Sequence, residues 1–323
     1  MDILVLGGTA FLGRVIAEEA LARGHAVTCL ARGSAEPPQG TRFVRADREE
    51  PDGLAGVRDQ VWDAVIDVTR QPGQARRAVT ELTTRHWVFV SSANVYAELG
   101  RLDQPEDAPL RPPLTEDTMA SMEQYGEAKV ACENAYLATD SAIIVRAGLI
   151  GGPGDWSARS GYWPWRFAHP SGPDVAVPDD PQAPCALIDV RDLAAWLVHC
   201  AEHRISGIRN ATGPTITLAE LLDTAAEVAG STLPRLRVPP DRLGELGLRA
   251  WMGPASFPLW VDDPALRGFS TLDSDRAIAD GLKPRPLAAT LAAALAYENG
   301  RDPADRPAGL TDADELRVRG MLS

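Results

Sequence analysis

The sequence predicts an α/β fold: a doubly wound parallel sheet with a smaller C-terminal substrate-binding domain. Three observations predict it. Short apolar runs alternate with amphipathic stretches in the first half of the chain, a glycine-rich turn follows the first run, and the composition changes after about residue 150. We expect the sheet domain to comprise residues 1–150 plus about 185–212, and the substrate-binding lobe to comprise 151–184 and 213–323.

Six strands are predicted from apolar, β-branched runs. They span residues 3–6, 26–30, 42–46, 64–68, 87–90 and 142–145. Apolar positions recurring at three and four predict helices at 14–23, ending before Gly24, and at 74–83, 193–199, 218–229 and 287–297. The segment 151–184 is dense in Gly, Pro and Trp and is predicted to form a lid, and the tail after Asn299 is predicted to lie on the surface.

Composition limits the classes of partner. A formal charge of −13 over 323 residues repels phosphate polymers, so we expect no nucleic-acid partner. No apolar run is long enough to cross a membrane, and we expect no signal peptide, because no basic region precedes the first strand. The four cysteines lack metal or disulfide spacing, and we expect reduced thiols and a cytoplasmic location.

Residues 7–13, Gly-Gly-Thr-Ala-Phe-Leu-Gly, join the first predicted strand to the first predicted helix. Gly7 permits a sharp turn, Ala10 is small enough for the backbone to approach a diphosphate, and Gly13 lets the helix pack on the strand. Alanine replaces the usual middle glycine of such loops, and its methyl group reduces the space between the loop backbone and a bound diphosphate. The pattern predicts a dinucleotide site formed by Gly7, Thr9, Ala10, Phe11, Leu12 and Gly13.

The residues after the second strand bear on the choice of cofactor. A carboxylate there would bind the adenosine ribose, but the chain has Leu-Ala-Arg-Gly at 30–33. The guanidinium of Arg32 matches a 2′-phosphate, so NADP is favoured, with NAD as the alternative cofactor. Arg32 could instead be a solvated loop charge. By position, Asp47 is assigned to the adenine and Val68 and Thr69 to the ribose, although Asp47 could equally cap the next segment.

Residues 125–129 read Tyr-Gly-Glu-Ala-Lys in a stretch that is predicted to continue as a helix to Leu137, which places Tyr125 and Lys129 on one helix face. A phenol ionises only near pH ~10, and a neighbouring ammonium group favours its ionised form. The pair is therefore suited to general acid–base chemistry. Ser92 follows the fifth strand, where side chains point into a ligand crevice, and could bind the substrate oxygen that Tyr125 protonates.

These motifs resemble those of the NAD(P)-dependent epimerase/dehydratase family, the extended short-chain dehydrogenases. The resemblance runs from residue 1 to about 300 and rests on segments 7–13, 91–96, 125–129, 145–154, 186–194, 210–213 and 281–284. It implies a Rossmann fold, a catalytic role for Ser92, and a homodimer formed through the helix that carries Tyr125 and Lys129. Lys129 would also hold the nicotinamide ribose.

Departures from the family pattern reduce the number of reactions that the sequence favours. Dehydratases of this type carry an Asp-Glu pair where this chain has Ala93 and Asn94, which disfavours dehydration. Epimerases often carry an Asn where residues 147–149 are Ala-Gly-Leu, which weakens the case for a nucleotide-sugar substrate. The leading hypothesis is an NADP(H)-dependent reductase or dehydrogenase of a small carbonyl/alcohol pair. An epimerase with retained cofactor is the alternative, and a non-catalytic nucleotide-binding regulatory or RNA-associated protein is a further one.

The substrate pocket is predicted to include Ser92, Asn94, Tyr96, Trp156 and Trp163. The aromatic residues between 156 and 167 suit a ring-bearing substrate, or they fasten a long loop to the body of the protein. No metal site is expected, because His169 and His199 lack ligand-like partners at metal spacing.

Overall fold

The computed structural model describes residues 1–322 and has a seven-stranded parallel sheet at its centre. Its strands are β1 (Asp2–Leu6), β2 (Ala26–Ala31), β3 (Arg42–Arg45), β4 (Ala64–Asp67), β5 (Trp87–Ser92), β6 (Ala142–Ala147) and β7 (Gly207–Ala211). The spatial order is β7-β6-β5-β4-β1-β2-β3, and every adjacent pair is parallel. This order defines a doubly wound Rossmann sheet, as predicted, with β7 as a strand that the sequence reading missed.

Helices cover both faces of the sheet and continue through the C-terminal part of the chain. They are α1 (Phe11–Ala22), α2 (Pro72–Glu81), α3 (Tyr125–Leu137), α4 (Arg159–Ala168), α5 (Val190–His203), α6 (Leu218–Ala229), α7 (Asp275–Ala279), α8 (Leu287–Glu298) and α9 (Asp312–Leu322). Helix α6 has its predicted bounds, and its N-terminus is fixed by a capping box between Thr217 and Glu220.

Alternating side chains of the strands build a separate core on each face. Ile3 and Val5 of β1 pack with α1 and α5, whereas Leu4 and Leu6 pack with α2 and α3. All four are fully buried. A parallel strand covered on both faces must be apolar throughout, which explains the continuous apolar run at 3–6.

A second buried cluster is formed by residues beyond 160, including Trp163 of α4, Leu221 of α6 and Leu291 of α8. The prediction that the tail after Asn299 lies on the surface was wrong for α9. This helix contributes Val318 to the second buried cluster, and its Glu315 is fully buried. Glu315 accepts a hydrogen bond from the amide of Ala176, which ties the tail to the body.

Ten short extended segments pair outside the main sheet. The pairs are Val61–Trp62 with Thr83–Thr84, Ile150–Gly151 with Ile188–Asp189, Val175–Pro178 with Arg235–Val238, Pro184–Cys185 with Ile216–Thr217, and Arg249–Trp251 with Ser256–Pro258. Across residues 1–322, the helices are all too short or too polar to cross a bilayer.

Candidate active site

Two adjoining concavities lie along the carboxyl edge of the sheet. The first, here called the loop groove, has a volume of about 410 Å³ and is lined by the ends of β1, β2 and β4, including Gly7, Thr9, Ala10, Arg32, Asp47 and Val68. The second, the central pocket, has a volume of about 550 Å³ and is lined by residues that include Phe11, Ser92, Asn94, Tyr125 and Trp156. Val68 and Arg70 line both, so the two concavities form one continuous site.

The turn between β1 and α1 depends on two glycines. Gly7 has a φ of +95°, and a Cβ on Gly13 would lie 2.1 Å from the carbonyl oxygen of Gly7. Only glycine permits this contact, so α1 begins against the end of β1 with its first amides facing the loop groove. Ala10 is the N-cap residue, and its methyl group cannot satisfy those amides. They remain available to an anion.

The side chain of Leu12 does not contribute to the loop groove, although Leu12 was predicted to form part of the dinucleotide site. Its side chain belongs to the hydrophobic core and is only 8% exposed, so any contribution to a ligand must come from its backbone amide. Phe11 lines the central pocket rather than the loop groove.

Arg32 and Asp47 lie at the far end of the loop groove. Arg32 is exposed, and within residues 1–322 no carboxylate lies at ion-pair distance from it. Its carbonyl oxygen accepts a hydrogen bond of 3.0 Å from Nε of Arg45. Asp47 lines the groove, and its Oδ1 accepts a hydrogen bond of 3.0 Å from the amide of Glu49. Asp47 thus caps the segment that follows it while its side chain stays at the groove.

Lys129 is buried beneath Thr69, a residue that lines the loop groove. Its ammonium donates to the carbonyl oxygens of Thr69 at 2.6 Å and Val90 at 2.7 Å, and the residue is 3% exposed. An ammonium has three N–H donors, so these two bonds leave one for another acceptor. Nζ lies 6.0 Å from the ring centroid of Tyr125, which is the first residue of α3.

The turn after β5 faces Tyr125 across a close helix contact. Oγ of Ser92 accepts hydrogen bonds from the amide of Asn94 at 3.3 Å and from its Nδ2 at 3.1 Å, which leaves the Ser92 hydroxyl proton for a ligand. A Cβ on Gly126 would lie 2.3 Å from the carbonyl oxygen of Asn94. Gly126 is therefore needed to bring the start of α3 against this turn, where Ser92 and Tyr125 line one pocket.

A buried ion pair supports the floor between the two concavities. Asp67, at the end of β4, accepts two hydrogen bonds from Arg48 at 2.8 and 2.7 Å and one from the hydroxyl of Tyr136 at 2.5 Å. Burial, and next the adjacent carboxylate, raise the pKa of Tyr136 well above its usual value. Asp67 also accepts from the amide of Thr69, whose carbonyl oxygen binds Lys129. The network thereby fixes the backbone that holds the lysine.

Two residues predicted to line the substrate pocket do not reach it. Tyr96 is fully buried, and its hydroxyl donates to Oδ1 of Asn210 at 2.6 Å. Trp163 is also fully buried in the second core, with its indole N–H donating to the carbonyl oxygen of Pro258. These two assignments were wrong. Trp156 does line the pocket and is 67% exposed.

The central pocket also contains three arginines that the sequence reading did not single out: Arg70, Arg111 and Arg159. Arg111 pairs with Glu127 at 3.0 Å. In the part of the chain that is described, no carboxylate lies at ion-pair distance from Arg70 or Arg159. Burial lowers the pKa of Arg159, a trend that the charge of Asp155 opposes. Its guanidinium carbon stacks 4.7 Å from the ring centroid of Trp251.

Position could have indicated Arg70, because it follows the end of a predicted strand. Arg111, Arg159 and Trp251 come from distant loops and carry no local signal. Contrary to the prediction from sequence, His199 has ligand-like neighbours: it lies with Glu202 and His203 in one group of ligand-type atoms. This group is far in the chain from the strand ends that form the loop groove.

The fold and site define a protein of the doubly wound α/β class with a glycine-rich turn at the end of β1. Residues 3–86 match the model of the NAD-dependent epimerase/dehydratase family. Together with the sheet order and the glycine loop, this match shows that the chain is similar to that family over residues 3–86.

Three similar proteins illustrate the relationship. A dTDP-6-deoxy-L-talose 4-dehydrogenase (NAD(P)(+)) from Kitasatospora kifunensis is 29% identical over 47% of this chain and 53% of its own length. A 2'-dehydrokanamycin reductase from Streptomyces kanamyceticus is 29% identical over 64% of this chain and 60% of its own. The chain thus spans little more than half the length of these curated relatives. The structure of UDP-N-acetylglucosamine 4-epimerase from Bacillus cereus matches with a TM-score of 0.66 and 19% identity, over 94% of this chain and 98% of that one.

Proposed function

We propose that this chain is an NADP(H)-dependent reductase or dehydrogenase of a small-molecule carbonyl/alcohol pair. The observation that carries the proposal is the position of Lys129, whose ammonium lies 6.0 Å from the ring centroid of Tyr125 and donates to the carbonyl oxygen of Thr69, a residue of the loop groove. A tyrosine placed in this way is suited to protonate a carbonyl oxygen.

The residues of the loop groove fit a dinucleotide. The close contact of Gly13 with Gly7 leaves room for a diphosphate at the start of α1, and the groove continues to the central pocket. Arg32, with no carboxylate partner among residues 1–322, supports NADP over NAD, because a guanidinium pairs well with a 2′-phosphate. When bound, the nicotinamide supplies the hydride.

The protein groups supply the proton and the orientation. Ser92 and Tyr125 bind the carbonyl oxygen of the substrate, and Tyr125 donates its proton to that oxygen. Lys129 keeps one N–H free of the two carbonyls it already binds, and we assign this donor to the nicotinamide ribose. Asn94 holds Oγ of Ser92 as an acceptor, so that the Ser92 hydroxyl points its proton toward the substrate.

The substrate side favours an anionic group. Arg70, Arg111 and Arg159 bring three positive charges into the central pocket, and Glu123 and Asp155 bring two negative ones. Among residues 1–322, no carboxylate lies at ion-pair distance from Arg70 or Arg159. A carboxylate or phosphate group on the substrate would form ion pairs with these two arginines. Residues 151–184 and 213–323 are proposed to form the lobe that holds this substrate, in a cytoplasmic homodimer formed through α3.

The test is a direct assay of net cofactor turnover. The purified protein is dialysed, its bound nucleotide is identified by mass spectrometry, and a panel of anionic ketones and keto sugars is assayed at 340 nm with NADPH and NADH. The proposal predicts exchangeable nucleotide and steady consumption of NADPH with at least one ketone.

Three other outcomes would contradict it in different ways. Tightly retained nucleotide, with interconversion of substrate epimers and no net change at 340 nm, would support the epimerase alternative. Dinucleotide binding without turnover of any substrate in the panel would support the non-catalytic nucleotide-binding alternative, and failure to bind either dinucleotide would contradict the cofactor assignment.

A further inference from the structure

The last turn of α5 carries two histidines and a glutamate on one face of the helix. We propose that His199, Glu202 and His203 form a zinc site that is independent of the active site. One ligand-type atom from each residue lies within 4.8 Å of the other two. Residues at positions i, i+3 and i+4 are neighbours on a helix surface, so the three side chains converge without any rearrangement of the backbone.

The hydrogen bond made by His203 leaves its other ring nitrogen available. Nδ1 of His203 lies 3.0 Å from the carbonyl oxygen of His199. A carbonyl oxygen can only accept, so Nδ1 carries the proton, and Nε2 of the neutral ring keeps its lone pair for a metal ion. The two imidazole rings lie 4.0 Å apart between centroids.

Glu202 is held in place from outside the helix. One of its oxygens accepts from Arg23 at 2.8 Å, and the other lies 2.9 Å from Nε2 of His25. Ligating carboxylates are commonly hydrogen-bonded in this way, which fixes their orientation. The positive charge of Arg23 opposes a cation, whereas the helix terminus favours one, because α5 ends at His203 and its last carbonyls carry partial negative charge.

The types of ligand atom in this group indicate which metal ion it would bind. Two imidazoles and a carboxylate suit Zn²⁺, while Mg²⁺ and Ca²⁺ prefer oxygen ligands alone. The ligand atoms must close from their present separation to bind at roughly 2.0–2.2 Å, which side-chain rotations on the half-exposed helix end can provide. Cys200 lies within the same segment but is fully buried, so it is not a ligand.

The position of His199, Glu202 and His203 favours a structural role for the zinc ion over a catalytic one. His25 directly precedes β2, at the sheet edge opposite the central pocket, and α5 ends beside it. Zinc bound there would join the end of α5, through Glu202, to the segment that leads into β2. It would stabilise the fold without taking part in the proposed reduction.

The test is calorimetric titration of ZnCl₂ into the full-length protein after removal of metals with EDTA. We expect one equivalent to bind to the wild type and to raise its melting temperature. His203→Gln, which changes an exposed residue, should weaken zinc binding at least about tenfold, and Glu202→Gln should weaken it measurably. His169→Gln is the matched control, because His169 directly follows α4 and contacts Trp165 instead.

Melting in EDTA shows that each variant is folded before it is titrated. A wild-type protein that does not bind zinc would overturn the proposal. So would unchanged affinity in His203→Gln, or loss of binding in the His169→Gln control. Unchanged affinity in Glu202→Gln would overturn the assignment of three ligands.

Discussion

Substituting Gly13 by alanine tests how the glycine loop works. The new Cβ would lie 2.1 Å from the carbonyl oxygen of Gly7 and 2.9 Å from its carbonyl carbon. Carbon and oxygen atoms in contact are normally about 3.3 Å apart, so α1 and β1 must separate by about 1.2 Å. Both contacts are with backbone atoms, and no side-chain rotation relieves them. Overpacking of this kind costs about 1–3 kcal/mol of folding stability.

The same displacement should weaken dinucleotide binding. The amides at the start of α1 would move away from the diphosphate by about the same distance. A hydrogen bond to a charged group is worth about 1.5–3 kcal/mol, so the loss of one would raise the dissociation constant of NADPH about 10- to 100-fold.

Fluorescence titration of NADPH measures the affinity, and urea unfolding measures the stability. Gly244→Ala is the matched control, because its Cβ would meet no heavy atom within 4 Å. If Gly13→Ala bound NADPH within twofold of the wild type, the close contact between α1 and β1 would not govern the site.

Three further predictions follow from single residues. Arg32→Ala should raise the dissociation constant of NADPH at least about tenfold and leave that of NADH unchanged, as measured by the same titration. Arg159→Met should raise KM for an anionic substrate about tenfold or more, with a smaller effect on its neutral analogue, measured by steady-state kinetics. Burial, and next the charge of Arg204, lower the pKa of His86 from 6.5 to about 4. The neutral ring therefore contributes stability that is fully present above pH 6.5 and is lost as the pH falls toward 4. Urea unfolding should show that protonation of His86 removes about 2 kcal/mol of the free energy of unfolding between pH 7 and pH 5. In His86→Gln, which lacks the imidazole, the decrease over the same pH range should be smaller by that amount.

The fold was largely predictable because its signals are local. Apolar runs fully buried in a parallel sheet, and the Gly-Gly-Thr-Ala-Phe-Leu-Gly turn at 7–13, each act within one strand or one turn. Helix α3 was predicted from Tyr125 to Leu137 for the same reason. β7 was missed because Gly207–Ala211 contains an arginine and an asparagine, and its pairing with β6 is what makes it a strand.

The pocket was less predictable, because side chains from distant segments form it. Tyr96 follows Ser92 in sequence, but the 3₁₀ turn at Ala93–Val95 directs it into the interior, where it bonds to Asn210. The aromatic residues of α4 look like a binding surface in sequence, yet they build the second core. Arg159 gains its environment only when Trp251 packs against it.

The central claim is that Tyr125 handles the proton beside Lys129, and Tyr125→Phe tests it most directly. Tyr297→Phe, an exposed residue outside both concavities, serves as the control. With the ketone on which the wild type consumes NADPH, we expect Tyr125→Phe to lose about 10²-fold or more in kcat while its NADPH affinity stays within twofold. Turnover by Tyr125→Phe at the rate of the wild type and of Tyr297→Phe would contradict it.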